Sequence, residues 1–244
     1  MIRGVTVDWW HTIAEPHGDD WEQVAKRLRC EAIQRVLKDH GVQCTFERID
    51  LAYDLWTDHL KRAWRKNVDW PADRQVADLL ASARYDGASD PSLLEDMRDP
   101  IGMPLIERPP RLNDGVVETL RTLKADGLRL AIISNTGRTW GHFLRRVQDG
   151  MGLSDLFDHR TFSDEARVRK PSRVIFDQTL HALRLQPEEV VHVGDDVDAD
   201  VAGAKATGMR AVWYDNGKWP DASTDKADAI IHDWRELPEV IRGW

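Results

Sequence analysis

The feature that most constrains this chain of 244 residues is the placement of polar residues directly behind short apolar runs. Asp8 directly follows the run at 5–7, and Ser134 directly follows the run at 128–133. Asp195 follows the run at 190–193, with one glycine between them. Runs of this kind predict buried β-strands. Parallel strands end at the same edge of a sheet, where open α/β sheets bind ligands. We therefore expect these polar side chains to share one rim.

The second half of the chain alternates helical and strand patterns, which predicts right-handed βαβ units and a parallel sheet. The first predicted strand lies near the start of the chain, at 2–8. The strands predicted in the second half lie at 128–133, 157–162, 190–193, 209–214 and 229–231. The predicted helices of this part lie at 115–127, 140–149, 171–183, 199–207 and 234–241.

A block of helical patterns interrupts this α/β part after its first strand. Residues from about 16 to 108 show no convincing strand and predict helices at 21–39, 46–66 and 73–84, with a fourth beginning after Pro91. The proline-rich stretch 103–112 predicts a linker. The sequence therefore predicts an α/β core made of 1–15 and 109–244, with an all-helical insertion at 16–108.

The composition limits the classes of partner. The net charge of −8 argues against a nucleic acid or an anionic membrane as partner. We find no apolar stretch of about 20 residues, so we expect neither a membrane span nor a signal peptide. The two cysteines, Cys30 and Cys44, fit a reducing compartment. We expect a cytoplasmic monomer or homodimer whose eleven tryptophans mostly pack in cores.

The segments DWWHT at 8–12, SNTG at 134–137, KP at 170–171 and GDDVDAD at 194–200 occur in an informative order. Together they resemble the four motifs of the haloacid dehalogenase (HAD) superfamily of hydrolases. The helical block resembles the C1-type cap of that superfamily. The resemblance covers nearly the whole chain and implies a Rossmann-like parallel core with an all-helical cap inserted after the first strand.

The resemblance also implies catalytic roles. Asp8 would attack phosphorus and form an aspartyl-phosphate. Thr12 and Ser134 would support the phosphoryl oxygens, and Asn135 could contact the substrate. Lys170 would neutralise the nucleophile and the developing charge.

The implied cofactor is Mg²⁺, which prefers oxygen ligands. Its ligands would be the carboxylates of Asp8, Asp195 and Asp200 and the backbone carbonyl of Trp10. We interpret Asp196 and Asp198 as acids at a helix N-terminus, where the helix dipole favours them, and not as further ligands.

One departure from the resemblance affects the expected chemistry. Most HAD phosphatases carry a second aspartate two residues after the nucleophile, and this chain has Trp10 there. Indole supplies no general acid or base. A phosphatase with another proton donor, His11 among the candidates, or with substrates that have good leaving groups is one alternative. A 2-haloacid dehalogenase-like enzyme and a catalytically weak or inactive HAD-fold binding protein are the others.

The acidic segment at 194–200 favours the first alternative, because the dehalogenases lack the magnesium site. We therefore expect a Mg²⁺-dependent hydrolase, a phosphatase of small phosphorylated molecules with atypical acid–base equipment. The sequence does not identify the substrate, since the cap selects it. A stripe of cap aromatics, Tyr53, Trp56 and Trp64, is interpreted as packing within the cap.

Overall fold

The computed structural model describes residues 1–85 and 90–244. Its strands are β1 (Gly4–Val7), β2 (Ala14–Glu15), β3 (Arg111–Leu112), β4 (Arg129–Ser134), β5 (His159–Phe162), β6 (Val190–Gly194), β7 (Arg210–Tyr214) and β8 (Ala229–Ile231). Six of them form one sheet in the order β5-β4-β1-β6-β7-β8, and every pair in it is parallel. The predicted α/β fold is therefore confirmed. β2 and β3 form a separate antiparallel pair.

The α-helices flank the sheet or lie between β2 and β3. They are α1 (Trp21–Asp39), α2 (Phe46–Trp64), α3 (Ala72–Ser82), α4 (Pro91–Asp96), α5 (Arg98–Glu107), α6 (Val116–Ala125), α7 (Gly141–Gly150), α8 (Ser163–Ala166), α9 (Arg173–Leu183), α10 (Gly203–Thr207) and α11 (Leu237–Arg242). Among the described residues, no helix has both the length and the apolar character needed to cross a membrane.

The first strand lies in the middle of the sheet, which explains its apolar sequence. All residues of β1 are buried, because β4 and β6 pair with it on either side and helices cover both faces. Val7 is in register with Ile132 of β4 and Val193 of β6. The residues that follow these three strands therefore meet at one edge.

The helices between β2 and β3 have a hydrophobic core of their own. Its fully buried members include Trp56 and Leu60 of α2, and it also takes in Trp140 and Phe143 at the start of α7. This core therefore joins the helical block to the sheet. Gly102 of α5 is needed at the contact, because a Cβ there would lie 2.1 Å from the Phe143 ring.

The linker predicted at 103–112 is wrong in its first half. Residues 103–107 complete α5 although Pro104 lies inside that helix, and Arg111–Leu112 form β3. Proline removes one helical hydrogen bond, but Ile101 and Leu105 of the same helix are buried. Burial of these side chains offsets the lost bond, and a tertiary contact of this kind is invisible to a rule based on proline.

The helix predicted at 199–207 begins earlier and in a different form. A π-helical turn spans Val197–Ala202 and continues directly into α10. The Asp196 side chain caps this turn by accepting hydrogen bonds from the backbone N–H groups of Asp198 and Ala199. The interpretation of Asp196 as an acid at a helix N-terminus is thus consistent with its contacts.

Candidate active site

Asp8 lies at the carboxyl edge of the sheet, immediately after β1. Its backbone N–H donates to the carbonyl of Val193 at 2.9 Å, which continues the β1–β6 pairing by one residue. Its buried carboxylate accepts a hydrogen bond from Lys170 Nζ at 2.6 Å. The same ammonium donates to Asp200 Oδ1, also at 2.6 Å. The predicted nucleophile and the predicted lysine are therefore in direct contact.

The position of Lys170 depends on Asn135. The Lys170 backbone N–H donates to Asn135 Oδ1 at 2.8 Å, and Asn135 Nδ2 donates to the Lys170 carbonyl at 3.1 Å. This pair of bonds joins the loop after β4 to the segment that precedes α9. Asn135 thus orients the lysine, and its predicted contact with substrate stays a prediction.

Three buried carboxylates form a cluster that could hold a metal ion. Asp8, Asp195 and Asp200 each offer an oxygen, and these oxygens lie within 4.8 Å of one another. When all three carboxylates are ionised, the group together with the ammonium of Lys170 has a net charge of −2. Burial raises the pKa of Asp8 to about 8; Lys170 lowers this pKa, and the neighbouring carboxylates of Asp200 and Asp195 raise it. Burial and Asp200 also raise the pKa of Asp195.

An excess of negative charge in a buried, all-oxygen cluster fits a hard divalent cation. Such a cation would balance the charge of −2. It would also replace the stabilisation by water that ionised carboxylates lose when they are buried. The donor set therefore fits Mg²⁺ by its chemistry.

Asp200 is held by residues that sequence reasoning missed. His192 Nε2 lies 3.0 Å from Asp200 Oδ1, and the other ring nitrogen lies 2.8 Å from Thr6 Oγ1. Burial works against ionisation of Asp200, but Lys170 and His192 outweigh burial and lower its pKa. Gly194 permits the close approach, because a Cβ there would lie 2.2 Å from the Asp200 carboxyl carbon. His192 lies in β6, and its side chain contacts Asp200. In the sequence it lies inside an apolar run, so nothing marks it as a residue of the site.

Asp195 is surrounded by donors from two other segments. Thr12 Oγ1 donates to Asp195 Oδ1 at 3.1 Å, and Trp219 Nε1 donates to Asp195 Oδ2 at 2.8 Å. Trp213 Nε1 donates to the Asp195 carbonyl at 2.9 Å. Thr12 therefore orients a carboxylate here, in addition to the support of phosphoryl oxygens predicted for it. Neither tryptophan was identified from the sequence.

Ser134 ends β4 on the same rim and is fully buried. Its hydroxyl Oγ is buried and has no hydrogen-bond partner among the described residues. A buried hydroxyl normally has a partner. The free hydroxyl is therefore available to a ligand, in keeping with the role predicted for it.

The position two residues after Asp8 presents an indole. Trp10 is partly buried and packs edge-to-face against Trp9, with ring centroids 6.3 Å apart. The next residue, His11, has a positive φ of 60°. Its Nδ1 lies 2.7 Å from Glu15 Oε2 and also 2.7 Å from Lys218 Nζ. His11 is thus held by two charged neighbours, and its predicted role as a substitute acid stays a prediction.

A buried ion pair joins the helical block to the loops of the site. Asp69, which is buried, lies 2.7 Å from Arg169 Nη1 and accepts from Ser163 Oγ at 2.6 Å. Trp64 Nε1 donates to the other carboxylate oxygen at 3.0 Å. Arg169 also donates to the carbonyl of Thr136 and directly precedes Lys170. Sequence reasoning missed Asp69, since an isolated aspartate in a loop carries no periodic signal.

Comparison with known proteins agrees with this geometry. A family model described as haloacid dehalogenase-like hydrolase matches residues 2–208. The chain is 34% identical over 129 residues to a glyceraldehyde 3-phosphate phosphatase of Pyrococcus furiosus, covering 52% of each chain. It is 37% identical over 111 residues to a ribulose-1,5-bisphosphate 5-phosphatase of Halopiger xanaduensis, covering 46% of this chain and 45% of the relative. The chain thus spans about half the length of these curated relatives.

Solved structures resemble the whole chain in fold. A 2-haloacid dehalogenase from Pseudomonas syringae pv. Tomato has a TM-score of 0.73 at 24% identity and covers 100% of both chains. A HAD phosphatase from Thermococcus onnurineus has a TM-score of 0.63 at 22% identity and covers 99% of both. The family model covers most of the chain, and the chain therefore belongs to the haloacid dehalogenase-like hydrolases.

Proposed function

We propose that the protein is a Mg²⁺-dependent phosphoric monoester hydrolase that acts on small phosphorylated molecules, with Asp8 as its nucleophile. The observation that carries this proposal is the buried contact of Asp8 with Lys170 beside two further carboxylates. The two relatives described above also support the proposal, because both are named as phosphatases of sugar phosphates. Family membership supports a hydrolase in the broader sense.

The proposed reaction has two steps. A carboxylate oxygen of Asp8 attacks phosphorus, the bond from phosphorus to the ester oxygen breaks, and the leaving group departs after gaining a proton. Water then attacks the aspartyl-phosphate, which releases inorganic phosphate and regenerates the carboxylate. Lys170 offsets the charge that develops on the phosphoryl oxygens, and Ser134 donates a hydrogen bond to them. Thr12, whose hydroxyl donates to Asp195, supports the phosphoryl site by orienting that carboxylate.

Mg²⁺ would be held by Asp8, Asp195, Asp200 and the Trp10 carbonyl, and when bound it would shield the phosphate charge from the attacking carboxylate. His192 and Trp219 would keep Asp200 and Asp195 oriented, as partners of metal ligands commonly do. Asn135 would keep Lys170 in place.

We further propose that residues 16–108 act as a cap over a core formed by 1–15 and 109–244. The hydrophobic core of the helical block and the short β2–β3 pair at its two ends support this division. A cap of this kind excludes water and selects the substrate. We infer a cytoplasmic monomer or homodimer, and the two free cysteines fit that compartment.

The direct test compares wild type with Asp8→Asn on a panel of phosphate esters, with and without Mg²⁺. We expect wild-type turnover that chelation abolishes, and a loss of about 10³-fold or more in Asp8→Asn, because the amide does not attack phosphorus. Asp177→Asn, an exposed carboxylate on α9, is the matched control and should retain activity.

Two results would contradict the proposal. Hydrolysis of 2-chloropropionate that persists after chelation would favour carbon–halogen chemistry, the alternative suggested by Trp10. No turnover of any ester, with no aspartyl-phosphate detected by mass spectrometry, would favour a binding protein without activity.

A further inference from the structure

A cavity of about 280 Å³ lies beside the candidate active site, between the sheet edge and the helical block. From the sheet edge it is lined by Trp10 and Asn135, which follow Asp8 and Ser134 closely in the chain. From the helical block it is lined by Trp21 and Trp64. Because this lining includes the residue two after Asp8 and the residue that follows Ser134, we infer that the leaving group of an ester on Asp8 would enter this cavity.

Arg29 places a buried positive charge in the wall of this cavity. The residue is 3% exposed, and its guanidinium donates to the Ile101 carbonyl at 2.8 Å, Tyr53 Oη at 3.0 Å and Thr139 Oγ1 at 2.9 Å. All three acceptors are neutral. No carboxylate of residues 1–85 or 90–244 forms an ion pair with Arg29. Buried charges are normally paired, since an unpaired one is costly.

Arg138 adds a second guanidinium to the same wall. One of its terminal nitrogens pairs with Glu22, a carboxylate that is 70% exposed at the rim. Its Nε is buried and has no hydrogen-bond partner within the described part of the chain. Two guanidinium groups and one exposed carboxylate leave this end of the cavity positive, with donors unused.

We propose that this cavity binds a second anionic group, a carboxylate or a phosphate, carried by the leaving group of the substrate, with Arg29 and Arg138 as its ligands. Guanidinium forks match the geometry of both anions. The indole rings of Trp10, Trp21 and Trp64 would line the carbon skeleton between the two charged ends. The inference rests on the proposed phosphatase function, because it assigns the substrate class of that site.

The test uses matched esters that differ in charge at one position. The two anionic esters are 3-carboxyphenyl phosphate and 1,3-phenylene bisphosphate, which carry a second charged group on the ring. The neutral ester is 3-carbamoylphenyl phosphate, whose amide has the shape of the carboxylate but no charge. We expect kcat/KM of wild type to be on the order of 10- to 100-fold higher for an anionic ester than for the amide, the value of a hydrogen bond to a charged group. The two anionic arms distinguish a carboxylate from a phosphate as the natural group.

Arg138→Met is the main variant, because Arg29 also joins α1 to Tyr53 and Ile101. The ratio of kcat/KM between anionic and neutral esters should fall toward one in Arg138→Met. Arg29→Lys keeps the charge but loses the fork, and it should lower the ratio by a smaller factor. Arg27→Met changes an exposed arginine on α1 that pairs with Glu31, and its ratio should equal that of wild type.

Binding of the phenol products separates this inference from the proposed function. By calorimetry, 3-hydroxybenzoate should bind wild type more tightly than 3-hydroxybenzamide, and Arg138→Met should lose the difference. Absence of ester hydrolysis with this preference intact would refute only the phosphatase proposal. Equal affinity for the two phenols, or equal kcat/KM for charged and neutral esters, would overturn the anion site.

Discussion

The buried pair of Asp69 and Arg169 yields the sharpest prediction about stability. The Asp69 side chain is fully buried, and the Arg169 side chain is 13% exposed. Asp69→Asn keeps the shape but leaves the guanidinium without a counter-charge and turns an amide N–H₂ toward donors such as Ser163 Oγ. Removing one partner of a buried pair costs about 3–5 kcal/mol. For a chain of this size, that loss lowers Tm by about 6–20 °C.

The assay is urea unfolding at pH 7, followed by circular dichroism, with Asp58→Asn as control. Asp58 is an exposed aspartate on α2, so its replacement should change the free energy of unfolding by less than about 0.5 kcal/mol. Arg169→Met combined with Asp69→Asn should cost less than the sum of the single changes, because the double variant leaves no unpaired buried charge.

Equal stability of Asp69→Asn and Asp58→Asn would refute this reasoning. So would strict additivity in the double variant, since it would show that the two charges do not interact. Because Arg169 directly precedes Lys170 and donates to the Thr136 carbonyl, we also expect a lower kcat in Asp69→Asn.

Three further predictions concern the metal, a buried acid and the leaving group. Asp195→Asn should raise the Mg²⁺ concentration needed for half-maximal activity by about 10-fold or more, and an unchanged Mg²⁺ titration would contradict the ligand assignment. Burial raises the pKa of Asp164 to about 7. Since the folded state then binds the proton more tightly than the unfolded state, stability should fall as pH rises from about 4 to 7. Asp164→Asn should reduce that slope, to which the raised pKa of Asp8 also contributes, and gain up to about 4 kcal/mol at pH 8. An unchanged slope in Asp164→Asn would exclude this effect. Wild type should hydrolyse aryl phosphates far faster than alkyl phosphates, and Trp10→Asp should raise alkyl turnover by up to about 10²-fold. A flat dependence on leaving-group pKa in wild type would show that another residue supplies the proton.

The sequence by itself determined the α/β fold and the rim on which Asp8, Ser134 and Asp195 meet. Short apolar runs indicate buried strands, and parallel strands carry their carboxyl ends to one edge whatever the connections between them. Lys170 could be assigned only through the order of the motifs, since a lysine before a proline has no pattern of its own.

Only the tertiary structure decided which residues support that rim. Asp69 and Arg169 are separated by 100 positions, and Thr6 and His192 by 186, so no local periodicity links them. The same holds for Arg29 and Thr139, whose contact across 110 positions places a charge in the cavity wall. Hydrophobic periodicity reports which face of an element is buried, whereas these partners depend on how distant elements pack against one another.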